Sequence, residues 1–203
     1  GNKWADVRKR VGAENLKYGA IYHPHLRTSY NFHVADDEAE GNAFGKNVLV
    51  KHPASNNASV EVKLSTLRST KTALYNFVRA RLEEHYVEIP PSAAVAGVYA
   101  KTDRERGVWK APANVGLGSV VEPVVRLDDE DQGEMNVDPT GGKSINAIRA
   151  FMGKGNLVWG ARTLAGNDNE WRYVSVRRFF NMVEEPVKRP PYGAGSNPTN
   201  PKT

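Results

Sequence analysis

Helical and strand periodicities alternate along this 203-residue chain, which places it in the α+β or α/β class. Two observations carry that assignment. Leu74, Phe77, Val78 and Leu82 recur at i, i+3, i+4 and i+8, a single apolar helical stripe. Val60, Val62 and Leu64 alternate with period two, as a half-buried strand does. No internal repeat appears.

Taken in order, Trp4, Val7 and Val11 predict a short helix over 4–10 that Gly12 ends. Leu16 to Tyr22 is aromatic and β-favouring, and Pro24 halts it as a strand. Residues 33–46 are polar and Gly-containing, an exposed loop. Asn47 to Val50 is a short strand, and Asn56 to Ser59 a turn before the 60–64 strand. The clearest helix covers 69–86, and Pro90-Pro91 prevents its continuation. Ala93 to Ala100 is a small-residue buried strand or a tightly packed helix. Val120, Val121, Val124 and Val125 make a broken strand, and 127–138 an acidic, turn-rich connection. Ser144 caps a helix carrying Ile145, Ile148 and Met152, with Gly153 after its end. Asn156 to Thr163 and Glu170 to Val174 form a hairpin through the turn at 165–169. Val176, Phe179, Phe180 and Val183 define a last helix, which Pro186 ends. The expected organisation is a domain over 1–185 and a disordered or extended Pro/Gly/Asn-rich tail over 186–203, too poor in apolar residues to offset its chain entropy.

Composition narrows the function. Mean hydropathy is −0.57 and no apolar run approaches the roughly 18–20 residues that span a bilayer, so membrane insertion is not expected. Zero cysteines exclude disulfides and thiol chemistry and suit a reducing compartment. The net charge of +5 would permit nucleic-acid binding, but the 28 basic residues are scattered without a basic block, so no nucleic-acid partner is expected. Gly1-Asn2-Lys3 reads as a processed or cut end.

Each chemical motif fails on spacing. Gly141-Gly142-Lys143-Ser144 suggests a phosphate loop, yet Val137 stands where the leading glycine belongs, and a capped helix start explains it better. His23 and His25 flank Pro24 with no third ligand placed by spacing. An EF-hand reading of Asp128 to Pro139 fails because Glu130 and Gln132 replace the short ligands and Pro139 stands where the bidentate glutamate belongs. No Gly-x-Ser-x-Gly elbow occurs. No catalytic residue, cofactor or metal is therefore expected, and the chain is read as not an enzyme.

Three blocks remain: Gly107-Val-Trp-Lys-Ala-Pro-Ala-Asn114, Asn156-Leu-Val-Trp-Gly-Ala-Arg-Thr-Leu164, and Trp171-Arg-Tyr-Val174 followed by Arg177-Arg178. In this order and spacing they resemble the contractile tail sheath family of phage tails, R-type pyocins and related injection particles. Tyr18 to Pro24, Ile89 to Ser92, Ala96 to Ala100, Asp103 to Arg106 and Ile145 to Arg149 extend the resemblance over about 16–185. It implies an α+β domain built round a mixed sheet with about three to four helices, of the sheath C-terminal type. It also implies a subunit of a helical sheath that surrounds an inner tube and contracts to drive it through a target envelope. The implied partners are other sheath subunits, the inner tube protein and baseplate or terminator proteins, in a virion or tail-like particle assembled in the bacterial cytoplasm. The alternative is a non-polymerising binding or capping module.

The blocks supply the interface or packing candidates: Trp109, Lys110, Asn114, Trp159, Arg162, Trp171, Arg172, Arg177 and Arg178. Trp109 and Trp159 are expected to be substantially buried. Family members carry an N-terminal arm and a final apolar strand. This chain starts inside the pattern and bears a Pro-rich tail, so it is expected to be a fragment or shortened relative that stays monomeric or associates weakly.

Overall fold

A computed structural model describes residues 4–31, 48–53 and 59–188. The readings of 33–46, Asn47, the turn before Ser59 and the tail beyond Lys188 lie outside these residues. In chain order the elements are α1 (Ala5–Arg10), a 3-10 turn (Leu16–Tyr18), β1 (Ile21–His23), β2 (Leu26–Asn31), β3 (Leu49–Pro53) and β4 (Ser59–Lys63). Next come α2 (Leu64–Thr70), α3 (Thr72–Glu83), β5 (Tyr86–Ile89), α4 (Ser92–Arg106), β6 (Val115–Gly116) and β7 (Val120–Pro123). The last are α5 (Asp129–Asn136), β8 (Ile145–Phe151), β9 (Gly155–Val158) and α6 (Val174–Lys188). Strands and helices mix as the α+β class requires, with six α-helices among the described residues rather than three to four.

The described residues gather into two compact units, one within Gly1–His25, Pro90–Gly118 and Glu122–Thr203, the other within Leu26–Ile89 and Ser119–Val121. In the first, a mixed sheet runs β1-β8-β9-β6. β1 lies parallel to β8, pairing Ile21 with Ile145, and β8, β9 and β6 are antiparallel. Its core joins Trp4, Leu127, Met135, Ile145 and Ala147, with Ile21 packed against them. Burying Met135 alone, at 0% exposure, contributes roughly 1.5–3 kcal/mol.

In the second unit β3 pairs antiparallel with β4, and β5, β2 and the start of β7 form a three-stranded sheet. The helix expected over 69–86 is two helices, broken at Lys71, whose φ of −144° and ψ of 68° leave the helical region. Leu64, Leu67 and Tyr75 are buried, and Leu74, Val78 and Leu82 pack against them. Phe77 is 61% exposed and leaves the stripe, with the Arg81 guanidinium 5.7 Å from its ring centre.

Several elements differ from their sequence reading. Ser144 does not cap a helix. Its hydroxyl donates to the Asn136 carbonyl at 2.9 Å, and Ile145–Phe151 is strand β8. Residues 145–148 are all buried, so both faces of this strand are covered and the period-two signature vanishes. Met152, counted in the helical stripe, is fully exposed. Ala93–Ala100 lies within α4, whose Val95, Val98 and Thr102 are buried at i, i+3 and i+7. The acidic connection contains α5, because Asp128 accepts the Asp131 amide as an N-cap and three acids lie in the first turn. The strand expected over 16–22 is a 3-10 turn followed by the shorter β1.

The hairpin expected between 156–163 and 170–174 reduces to one bridge, Arg162 with Tyr173; β9 instead turns back on β8, through residues 152–154. α6 continues two residues past Pro186, which sits in its last turn.

Candidate functional site

Two clusters in the first unit hold most of the candidate residues. The first is a groove of about 300 Å³ beside β1, flanked by α4 and the start of α6. Consecutive arginines of α6 serve different walls. Arg177 is 3% exposed, and its guanidinium lies 4.3 Å from the Trp171 ring centre and 5.0 Å from that of Tyr18. It donates to Asn181 at 2.8 Å and Glu184 at 2.6 Å. Arg177 heads the interactions that hold the Glu184 carboxyl below its ordinary pKa. Arg178 makes a two-pronged ion pair with Asp103 of α4, which raises its pKa, and lies 4.7 Å from the Tyr99 ring centre.

Tyr99 and Tyr22 share a 2.8 Å hydroxyl–hydroxyl bond. Burial pushes both phenols above their ordinary pKa, Tyr22 furthest because Tyr99 adds to the effect. Lys17 completes the cluster, 5.1 Å from the Trp171 ring. Arginine against aromatic faces is worth about 0.5–2 kcal/mol per contact, so this cluster is first of all a structural joint.

The second cluster is the 107–114 block. Gly107 closes α4 with a φ of +95°, and the Trp109 indole lies across it where a Cβ would sit. Trp109 is nevertheless 68% exposed, and Trp159 is 37% exposed with its ring 4.5 Å from Phe151. The expectation that both are substantially buried is therefore wrong. Trp109 lies across the Gly107 backbone and Trp159 against the Phe151 ring. Lys110 is exposed, and Asn114 takes a φ of +57° while its amide donates to the Val158 carbonyl at 2.7 Å.

The remaining candidates scatter. Arg172 donates to the Asp168 carbonyl at 3.0 Å and to Asn169. Arg162 serves through its backbone. Buried Asn146 of β8 accepts the Arg162 amide at 2.7 Å and donates to the carbonyls of Arg162 and Ile21 at 2.8 and 3.0 Å.

The Gly141-Gly142-Lys143 loop is an anion nest already filled by its own chain. The Asp138 carboxylate accepts the amides of Thr140, Gly141 and Lys143, each at 3.1 Å, with Arg8 Nε 3.8 Å away. Burial pushes the Asp138 carboxyl up, but these amides and Arg8 outweigh it and hold its pKa below the ordinary value. Arg8 Nε donates to the Lys143 carbonyl at 2.9 Å, and Nη2 to those of Glu134 and Met135 at 2.7 and 2.9 Å.

Asp138 and Asn146 were missed by sequence reasoning. An aspartate followed by Pro-Thr-Gly-Gly was the available signal for the first, as a local side-chain-to-backbone turn. Nothing local signals the second. Among the described residues no group of three or more His, Asp or Glu is placed to hold a metal ion, and no helix is long and apolar enough to cross a membrane.

No protein-family model matches the chain. It is 31% identical over 101 residues to a Pseudomonas aeruginosa (strain UCBPP-PA14) protein described as a prophage major tail sheath protein, across 48% of this chain and 25% of that protein. It is 28% identical over 101 residues to the tail sheath protein of Enterobacteria phage T4, across 50% of this chain and 15% of that protein. With the tail sheath protein of Burkholderia phage BcepMu it shares 30% identity over 97 residues.

Two solved structures are also similar. A chain of the contracted PVC sheath complex, an extracellular contractile injection system, is 55% identical across 52% of this chain and 28% of that one, with a TM-score of 0.47. A chain of the anti-feeding prophage baseplate is 51% identical across 50% of this chain and 27% of that one, with a TM-score of 0.46. The chain spans a quarter or less of the length of the first two curated relatives.

Proposed function

We propose that this chain belongs to the contractile tail sheath family and is part of a structural subunit of a sheath that surrounds an inner tube and contracts to drive it through a target envelope. The observation that carries the reading is the match of about half the chain to tail sheath proteins from a prophage and from phages. The partners are other copies of the subunit, the inner tube protein and baseplate or terminator proteins. The setting is a virion or tail-like particle assembled in the bacterial cytoplasm. The work is mechanical, with no cofactor and no catalysed reaction.

The surface supports this reading. Phe179, Met182, Val183 and Val187 of α6 are exposed at i, i+3, i+4 and i+8, a face that an assembly would cover. Negative-stain microscopy of the full-length protein tests the proposal. Striated tubes are expected. A full-length protein that forms only single rings or stays monomeric beside its tube would overturn it in favour of the capping module.

A further inference from the structure

The 107–114 block borders a recess of about 370 Å³ between the end of α4 and β6. Its lining carries three cations, Lys101, Arg106 and Lys110, and one acid, Glu105. All four side chains are exposed, and among the described residues none of the three cations has an ion-pair partner. Next in the chain to Lys110 is Trp109, a large rigid apolar face that folding leaves 68% exposed. A tryptophan next to unpaired cations is the composition of a contact surface rather than of a solvated one.

The same unit carries the complement. On α5, Glu130 and Glu134 are exposed one turn apart and have no partner among the described residues, whereas neighbouring Asp129 is engaged by Arg149 at 2.7 Å. Asp128, at the cap, adds negative charge to the same end of the helix.

We infer that the recess of Lys101, Arg106 and Lys110, flanked by Trp109, receives the Glu130/Glu134 face of α5 from a second copy of this chain. The two patches differ, so the contact is heterologous. Each copy offers one patch forward and one back, and such a contact propagates into an open helix instead of closing as a two-fold dimer. The inference rests on the sheath reading and adds to it a residue-level contact between subunits.

Charge reversal and mixing test it. In sedimentation velocity at low salt the parent chain is expected to self-associate, and high salt to reverse this. K101E/K110E and E130K/E134K should each lose that association while keeping the parent's melting temperature. Mixed in equal amounts the two variants should recover it, because the reversed recess of one then fits the reversed helix of the other.

Four results with this chain would overturn the inference. They are no salt-sensitive association of the parent at millimolar concentration, parent-like association of either variant, no recovery on mixing, or loss of single-stranded oligonucleotide binding by K101E/K110E with association unchanged. Striated tubes formed by a full-length protein carrying K101E/K110E would overturn this contact and leave the sheath reading intact.

Discussion

Replacing Asp138 with alanine removes the centre of the 138–143 loop. Three amides, from Thr140, Gly141 and Lys143, lose a charged acceptor at 3.1 Å. Thr140 and Gly141 are exposed, so their amides regain water, and the three bonds together are worth about 3 kcal/mol. Arg8 is 5% exposed and also loses the carboxylate 3.8 Å from its Nε, keeping the neutral carbonyls of Lys143, Glu134 and Met135 as acceptors. Leaving that buried charge uncompensated brings the total to about 3–5 kcal/mol.

Urea unfolding followed by tryptophan fluorescence at pH 7 measures the loss. The carboxyl's folded pKa lies below its unfolded value, so its contribution is fully present above the unfolded pKa of about 3.9. It fades as pH falls through the folded value. The gap between parent and Asp138→Ala should therefore close in acid. A loss under about 1 kcal/mol at pH 7, or a gap that widens in acid, would refute the nest as a stabilising element.

Asn146→Ala strands the Ile21 and Arg162 carbonyls and the Arg162 amide, and should cost about 2–4 kcal/mol in the same assay, with Asn146→Asp no better because an oxygen then faces two carbonyls. The raised phenol pKa values of Tyr22 and Tyr99 favour the neutral folded form, so their contribution holds below the unfolded value of about 10 and is lost as pH rises further. Alkaline melts should show an apparent Tm falling above that pH, less steeply for Tyr22→Phe. Trp109→Ala should change stability by no more than about 0.5 kcal/mol, and Trp159→Ala by about 0.5–1.5 kcal/mol through its Phe151 contact, both read by thermal melting. At Gly166 an added Cβ would fall on Ser144 Oγ and the Gly142 carbonyl oxygen, so Gly166→Ala should lower Tm by several degrees in a scanning melt.

What the sequence disclosed followed from local rules. The helical stripe of Leu74, Val78 and Leu82 obeys a period that one face of burial imposes, whereas α1 and α6 carry the same period on apolar residues that stay exposed, Val7 in the first and Phe179, Phe180 and Val183 in the second. β8 escaped because burial on both faces erases alternation, and the chance spacing of Ile145, Ile148 and Met152 supplied a false helical period. α5 was hidden by its charge. Four successive acidic positions read as a solvated turn, although Asp128 with Asp131 is a capping pair that starts a helix. Trp109 was placed inside because tryptophan usually is, whereas its position is decided by a glycine and a left-handed φ beneath it. The clusters that use Arg8, Asn146 and Tyr99 join residues 75 or more positions apart or settle on backbone groups, and no local pattern encodes them.

The paired arginines of α6 act as a registration key. Arg177 enters a socket of Trp171 and Tyr18, while Arg178, about 100° further round the helix, enters one of Asp103 and Tyr99. A slip of one residue would bring Arg178 to the aromatic socket and leave Asp103 facing Phe179. A half-turn would withdraw both cations. The seat therefore admits one azimuth of α6 and no neighbouring one. Torque applied to the exposed face of that helix is handed to α4 rather than dissipated as rotation in place.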